Sequence, residues 1–266
     1  MIDDALRGPR SPRIVELLGA PGSGKSTLAA ALLAGPAPRP LAPAAVSGRP
    51  RLPLGRTVDR GLRRVPEVLP GRLGRLVRAA LWADGADDAL ATLQRTHPEF
   101  LALVAHAPPP ADADAEHVLR WRSWPLATLE AHVLLRRADA PGETVLVEEG
   151  LVMRANTVCA GDATLAVRYF ATQPLPDVVV LLDVAPEVAL QRVRARPKRT
   201  LRRHAGRDDA AVLADLERSV RLFSEAVPAL EARGVPVHVV DATEPVPILR
   251  RRVVDLLAAP GSATGA

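Results

Sequence analysis

The sequence has a single cysteine, Cys159, few aromatic residues and no long apolar run. A single cysteine excludes an intramolecular disulfide and a cysteine-rich zinc site, and it is typical of a reducing compartment. Aromatic residues make up 3% of the chain, which argues against the stacking platforms of single-strand binders. The longest apolar run, Leu28–Ala34, is far shorter than the roughly 20 residues of a membrane span. We therefore expect a cytoplasmic protein with no membrane partner and no nucleic-acid partner.

The composition is that of a globular protein. The 266 residues are 48% hydrophobic and 24% charged, with a formal net charge of +5, which is enough apolar material for a sizeable core. The six histidines show no metal-binding spacing. We expect a single domain over residues 13–259, with flexible ends at 1–12 and 260–266.

Apolar runs rich in β-branched residues alternate with helical patterns. Strand-like runs lie at 13–18, 143–148, 177–184 and 235–241, and helical patterns lie at 25–34, 151–172 (in one or two pieces), 187–196, 208–233 and 246–259. Near-continuous apolar strands separated by helices of about ten or more residues are typical of a parallel sheet covered on both faces. The sequence therefore predicts an α/β fold.

Residues 36–141 interrupt this alternation. The segment opens with a proline-rich stretch that disfavours regular structure, apart from a short second strand near 44–47. Helical patterns follow at 71–82, 87–96, 99–107 and 112–138, and Pro125 is expected to kink the last of them. We interpret the segment as a helical insertion between strands of the sheet.

The segment Gly19–Thr27 reads GAPGSGKST and fits the pattern GxxxxGK[ST], between a strand-like run and a helical run. Its glycines let the backbone wrap an anion closely, and the helix start adds the positive end of its dipole. We predict that Lys25 contacts the β and γ phosphates of ATP, that Ser26 binds Mg²⁺ and that Thr27 bonds the α phosphate. The predicted nucleotide contacts in this phosphate loop are Gly22, Ser23, Gly24, Lys25, Ser26 and Thr27.

A phosphate loop does not specify the reaction. The only asparagine, Asn156, does not lie in a guanine-reading segment, and no LSGGQ-like signature of ABC-type ATPases is present. A kinase or a sulfuryl-group transferase remains.

The strand-like run VLVEEG places Glu148 and Glu149 where an apolar strand ends. Ligands of open parallel sheets sit at the carboxyl ends of the strands. With the phosphate loop, this strand end resembles the thymidylate kinase and deoxynucleoside kinase group, in which the strand ends in Asp or Glu followed by Arg. The resemblance implies a three-layer P-loop sandwich of about five parallel strands, ATP and Mg²⁺ as cofactors, and Glu148 as the base or magnesium-side carboxylate. A solvated acid or a helix-terminal acid is the alternative for Glu148.

Glu149 departs from that resemblance. A carboxylate stands where the family has an arginine that handles the substrate or its phosphate. A nucleoside monophosphate acceptor is therefore less favoured, although we keep Glu149 among the candidate substrate contacts.

The segment Leu181–Arg196 resembles the family's fourth strand and the start of its lid. Pro186 suits the first turn of a helix, and Arg192 and Arg196 are four residues apart on one helix face. The resemblance implies that these two arginines act on the transferring phosphate from an arginine-rich lid at about 192–207. A solvated basic face and a nucleic-acid patch are the alternatives.

Two further groups of residues are weaker candidates. Asp241 and Thr243 follow the last strand and resemble the family's adenine loop, although an ordinary helix cap explains the same residues. Within the insertion, Trp121 and Arg122 together could sandwich a ring, and Arg154 could contact an acceptor. Core packing for the tryptophan and a surface role for Arg154 are the alternatives.

Together these features predict an ATP- and Mg²⁺-dependent kinase that transfers the γ phosphate to a small-molecule acceptor held by the insertion. The acceptor group is left open between a hydroxyl and a phosphate, and a homodimer is left open as well. A regulatory NTPase and a sulfuryl-group transferase are the alternative functions.

Overall fold

A computed structural model describes residues 11–34, 41–43, 91–109, 115–137, 142–195, 204 and 206–258. Several predicted features lie outside the described residues. They are the strand at 44–47, the helix at 71–82, Arg196, the side chain of Arg122 and most of both flexible ends.

Five parallel strands form the centre of the structure. They are β1 (Arg13–Leu18), β2 (Leu41–Pro43), β3 (Thr144–Val147), β4 (Val178–Asp183) and β5 (Val237–Asp241), in the spatial order β2-β3-β1-β4-β5. Every pairing between neighbours is parallel, so all five carboxyl ends lie at one edge of the sheet. The predicted α/β fold with about five parallel strands is confirmed.

Helices flank this sheet. They are α1 (Lys25–Ala34), α2 (Pro98–His106), α3 (Ala115–Arg137), α4 (Leu151–Val158), α5 (Ala163–Thr172), α6 (Pro186–Arg194), α7 (Asp209–Glu231) and α8 (Val246–Ala258), and residues 91–96 are helical as well. The pattern predicted over 151–172 forms two helices because the chain turns at Gly161. Asp162 is the N-cap of α5, and its carboxylate accepts a hydrogen bond from the Leu165 N–H. Helix α3 continues past Pro125 for three more turns.

The two faces of β1 contact different layers. Val15 and Leu17 belong to one buried cluster with α1, α8 and the first half of α7. Leu18 belongs to the other cluster, with α2, α3, α4, α5 and the second half of α7. Because side chains alternate along a strand, Glu16 points to the same side as Leu18.

The described second strand is Leu41–Pro43, which pairs with β3. The prediction near 44–47 falls outside the described residues and stays a prediction. Proline has no N–H for a strand ladder, and Pro43 is accommodated because β2 is an outer strand that needs hydrogen bonds on one side alone. Among the described residues, no helix is both long enough and apolar enough to cross a membrane.

Candidate functional site

The phosphate loop joins the carboxyl end of β1 to the first turn of α1, as its sequence predicts. Gly22 and Gly24 have φ values of 89° and 97°, in the left-handed region that favours glycine. A Cβ on Gly22 would lie 2.4 Å from the Ala189 carbonyl oxygen, whereas a Cβ on Gly24 would meet nothing within 4 Å. The loop therefore packs tightly against α6 through Gly22 and leaves room beside Gly24.

The loop also carries several hydrogen-bond donors. Lys25 Nζ donates to the Gly19 carbonyl at 2.5 Å and to the Ala20 carbonyl at 3.2 Å, so the ammonium lies across the loop. Ser23 is 1% exposed, and its hydroxyl has no hydrogen-bond partner among the described residues. The first amides of α1 are groups that a helix cannot satisfy internally. This set of donors fits a polyphosphate.

Glu148 follows the last residue of β3, directly beside the strand that carries the phosphate loop. Glu16 of β1 is opposite Val147 of β3, so Glu148 is one residue further toward the shared carboxyl edge. The side chain is half-buried, and the Ser26 hydroxyl is exposed on the first turn of α1. Mg²⁺ is usually bound through one or two protein oxygens together with phosphate oxygens. Ser26 and Glu148 each carry an oxygen of that kind, and their binding of Mg²⁺ stays a prediction.

Arg154 connects α4 to the insertion and to the turn after β3. Its Nε donates to the Thr128 hydroxyl at 2.9 Å, and its Nη2 lies 2.8 Å from Glu149 Oε2. The guanidinium carbon lies 5.7 Å from the centre of the Trp124 ring, which is within cation–π range. The Glu149 side chain is 65% exposed and Arg154 is 13% exposed. These four residues form a polar and aromatic surface, called here the Arg154 cluster.

Trp121 does not belong to that surface, and its burial favours core packing, the alternative to the predicted acceptor contact. The ring is 2% exposed, and its Nε1–H donates to the Thr157 carbonyl at 2.8 Å. The indole is therefore part of the packing between α3 and α4. Trp124, three residues on, is 48% exposed and belongs to the Arg154 cluster. The two tryptophans lie one helical turn apart, and the packing of α3 separates their environments.

Arg192 lies against the loop between β5 and α8. Its Nη2 donates to the Ala242 carbonyl at 3.0 Å. In the same loop, Asp241 accepts from the Thr243 hydroxyl at 2.7 Å and from the Thr243 N–H at 2.8 Å. These hydrogen bonds, first from the hydroxyl, lower the pKa of Asp241, and the charges of Arg252 and Arg192 add to the effect. The structure thus brings Arg192 together with the two residues predicted to meet the base.

The same helix links this loop to the phosphate loop. Ala189, whose carbonyl faces Gly22, precedes Arg192 by three residues, or about 4.5 Å along a helix. The predicted lid begins here, and Arg194 pairs with Asp209 at 2.6 Å. The far end of the predicted lid segment is held by His204, which is fully buried and hydrogen-bonds Asp215 at 2.7 Å. Both described ends of the lid segment are therefore attached to α7.

Glu16 is a site residue that the sequence did not single out. It lies in the middle of β1 and is 2% exposed. Its carboxylate accepts from the Val152 N–H at 3.2 Å and the Met153 N–H at 2.8 Å, so it caps the N-terminus of α4. Burial raises the pKa of Glu16 to about 7, while these two amides and Arg154 lower it. The sequence feature that could have identified Glu16 was a single acidic residue inside an apolar strand.

Gly150 is required by that cap. A Cβ at Gly150 would lie 2.3 Å from Glu16 Oε2, so no side chain fits between the turn after β3 and the carboxylate. The close approach of the Glu16 carboxylate thus explains why residue 150 is a glycine.

The phosphate loop, Glu148 and the Arg154 cluster all lie toward one edge of the sheet. No protein-family model matches the chain, and no curated protein matches it. Among solved structures, the chain is similar to the structure of deoxyadenosine kinase from M. mycoides with bound dATP, at 14% sequence identity and a TM-score of 0.45. The match covers 92% of this chain and 100% of that one.

Proposed function

We propose that this protein is a kinase that transfers the γ phosphate of ATP to a hydroxyl group of a small molecule. The observation that supports the proposal most strongly is the position of Glu148 at the end of β3, beside the phosphate loop at the end of β1. A phosphate-binding cradle and a carboxylate on adjacent strand ends are what phosphoryl transfer to a hydroxyl needs.

The loop and its surroundings hold the nucleotide in this proposal. Lys25 leaves the Gly19 and Ala20 carbonyls and donates to phosphate oxygens, while the Ser23 hydroxyl and the first amides of α1 donate to the same oxygens. The Asp241–Thr243 loop, held by Arg192, lies beside the base. Ser26 would hold Mg²⁺, and ATP with Mg²⁺ would supply the phosphoryl group and charge neutralisation.

Glu148 orients the acceptor and takes its proton. The acceptor oxygen forms the new bond to phosphorus as the bond to the ADP oxygen breaks, and the hydroxyl proton passes to the Glu148 carboxylate. A positioned general base contributes about 10² to 10⁴ in rate.

The charges near the acceptor favour a hydroxyl over a phosphate. Glu148 and Glu149 are both acidic, and Arg154 forms an ion pair with Glu149. Because Glu149 already pairs with that guanidinium, the Arg154 cluster offers little positive charge to a phosphate monoester. We infer that the acceptor is uncharged and that part of it packs on the exposed face of Trp124.

The test is transfer of label from γ-labelled ATP to a panel of nucleosides, sugars and other alcohols, together with their monophosphates. We expect label on an uncharged acceptor, and we expect Glu148→Gln to slow transfer by about 10²-fold or more while ATP still binds. Equal transfer by wild type, Lys25→Ala and Glu148→Gln would contradict the proposal.

Two other outcomes identify the alternative functions. Binding of ATP without transfer to any acceptor would favour a regulatory NTPase. Preference for a phosphoadenosine sulfuryl donor over ATP would favour a sulfuryl-group transferase.

A further inference from the structure

We propose that Glu16 is a positioning residue, which fixes the first turn of α4 and through it the Glu148–Glu149 turn at the end of β3. The link to catalysis rests on the proposed kinase function, whereas the link to the geometry of the turn does not.

The first step is the contact itself. Glu16 reaches from the central strand to two successive amides of α4, at 3.2 and 2.8 Å, although the partners are 136 and 137 residues apart in sequence. The N-terminal amides of a helix have no partner within the helix, and a carboxylate there is favoured by the helix dipole. No side chain of α4 performs this role, because its N-cap is Gly150 and makes no side-chain hydrogen bond.

The second step is the short path from this cap to the proposed base. Gly150, whose missing Cβ leaves the space that Glu16 occupies, is two residues from Glu148. On the other strand, Glu16 is paired in register with Val147, the residue before Glu148. The turn that carries Glu148 is therefore held at both ends, by β3 pairing and by the Glu16 cap.

The third step concerns the charged and titratable groups around Glu16. Among the described residues these are Arg154 on α4 and Tyr169 on α5, and Tyr169 donates its hydroxyl hydrogen to the Leu151 carbonyl at 2.7 Å. Arg154 in turn holds Glu149. Both neighbours thus contact the same turn of α4 or the residues just before it.

The fourth step is the cost of the arrangement. A carboxylate buried in the sheet is unfavourable unless hydrogen bonds offset its desolvation, and burial raises the pKa of Glu16 to about 7 in spite of these bonds. An apolar residue would suit this strand interior better for stability alone. The carboxylate at this position serves to place the turn.

The experiment compares wild type with Glu16→Gln and Glu16→Asp at pH 8. Glutamine keeps the shape but accepts through one oxygen, and aspartate keeps the charge on a shorter chain. Asp162→Asn is the matched control, because Asp162 caps the neighbouring helix α5 through the Leu165 N–H.

We measure hydrogen–deuterium exchange of peptides over 148–158, the Kd for ATP with Mg²⁺, and kcat and KM for the acceptor. We expect faster exchange in this segment for Glu16→Gln, an unchanged Kd for ATP and a kcat lowered by about 10- to 100-fold, since about 1 Å of misplacement can cost about 10²-fold. Glu16→Asp should be intermediate, and Asp162→Asn should leave exchange over 148–153 and kcat unchanged.

Unchanged exchange over 148–153 in Glu16→Gln would overturn the inference, and so would a kcat equal to that of wild type. A loss of ATP affinity as large as the loss of kcat would overturn it too, because the effect would then be general. If wild type phosphorylates no acceptor, the kinase proposal fails, and the exchange result alone decides whether Glu16 positions the turn.

Discussion

Replacement of Glu16 by glutamine is expected to change how stability depends on pH. In the folded protein the pKa of Glu16 is about 7, against an ordinary value of 4.5, with burial as the main cause. A raised pKa means that the folded state binds the proton more tightly, so the stability linked to this group is fully present below pH 4.5 and is lost as the pH rises through 7. At about 1.4 kcal/mol for each tenfold change in proton affinity, the full loss is about 3 kcal/mol.

The quantity to measure is the difference in unfolding free energy between Glu16→Gln and wild type, from urea denaturation at pH 5 and pH 8. We expect this difference to move in favour of the variant by about 2–3 kcal/mol between the two pH values, or by about 5–10 °C in Tm. Glutamine also loses one hydrogen bond. This loss alters the free-energy difference by the same amount at pH 5 and at pH 8, so it does not affect the change between the two pH values. Glu187→Gln, at an exposed position on the first turn of α6, controls for the removal of one carboxylate.

A difference that is the same at pH 5 and pH 8 would refute this reasoning. The carboxyl would then be solvated or charged throughout, and the buried cap described for α4 would be incorrect.

Two further predictions concern packing at the site. Trp121→Phe should cost about 1–3 kcal/mol in urea denaturation, because the buried Thr157 carbonyl loses its donor, and it should leave the acceptor KM unchanged; a raised KM with unchanged stability would contradict the core assignment. Gly22→Ala should abolish ATP binding by calorimetry, because its Cβ would lie 2.4 Å from the Ala189 oxygen, whereas Gly142→Ala, also at positive φ but with open space, should cost only about 1–3 kcal/mol of stability. Retention of ATP binding in Gly22→Ala would contradict the tight packing of the loop.

The sequence predicted best what local chemistry determines. The bounds of β1 and α1 agree to the residue with the prediction, because the apolar run, the glycines and the stop at Gly35–Pro36 all act within one short segment. The alternation of later strands and helices also predicted the parallel sheet. A strand at Leu41–Pro43 was not predicted, since Pro43 is acceptable there through the outer position of β2 in the described sheet.

What the sequence could not predict depends on contacts between distant segments. Glu16 caps α4 through an amide that lies 136 residues away, and no neighbouring residue in the sequence indicates this contact. Both Trp121 and Trp124 contact α4, but Trp121 is buried in the packing, whereas Trp124, one turn further along α3, is 48% exposed beside Arg154. Arg192 was expected near the transferring phosphate, and its partner in the structure is the Ala242 carbonyl. Its action on the phosphate stays a prediction.

The most direct test of the central claim is calorimetric titration of the protein with ATP in the presence of Mg²⁺. The account predicts saturable binding to wild type and a Kd raised by about 10- to 100-fold in Lys25→Ala, since a charge-assisted hydrogen bond contributes about 1.5–3 kcal/mol. Arg168→Ala, which removes a cation from α5, should bind as wild type does. Absence of binding by wild type, or equal affinity in Lys25→Ala, would contradict the claim that the segment Gly19–Thr27 holds a nucleoside triphosphate.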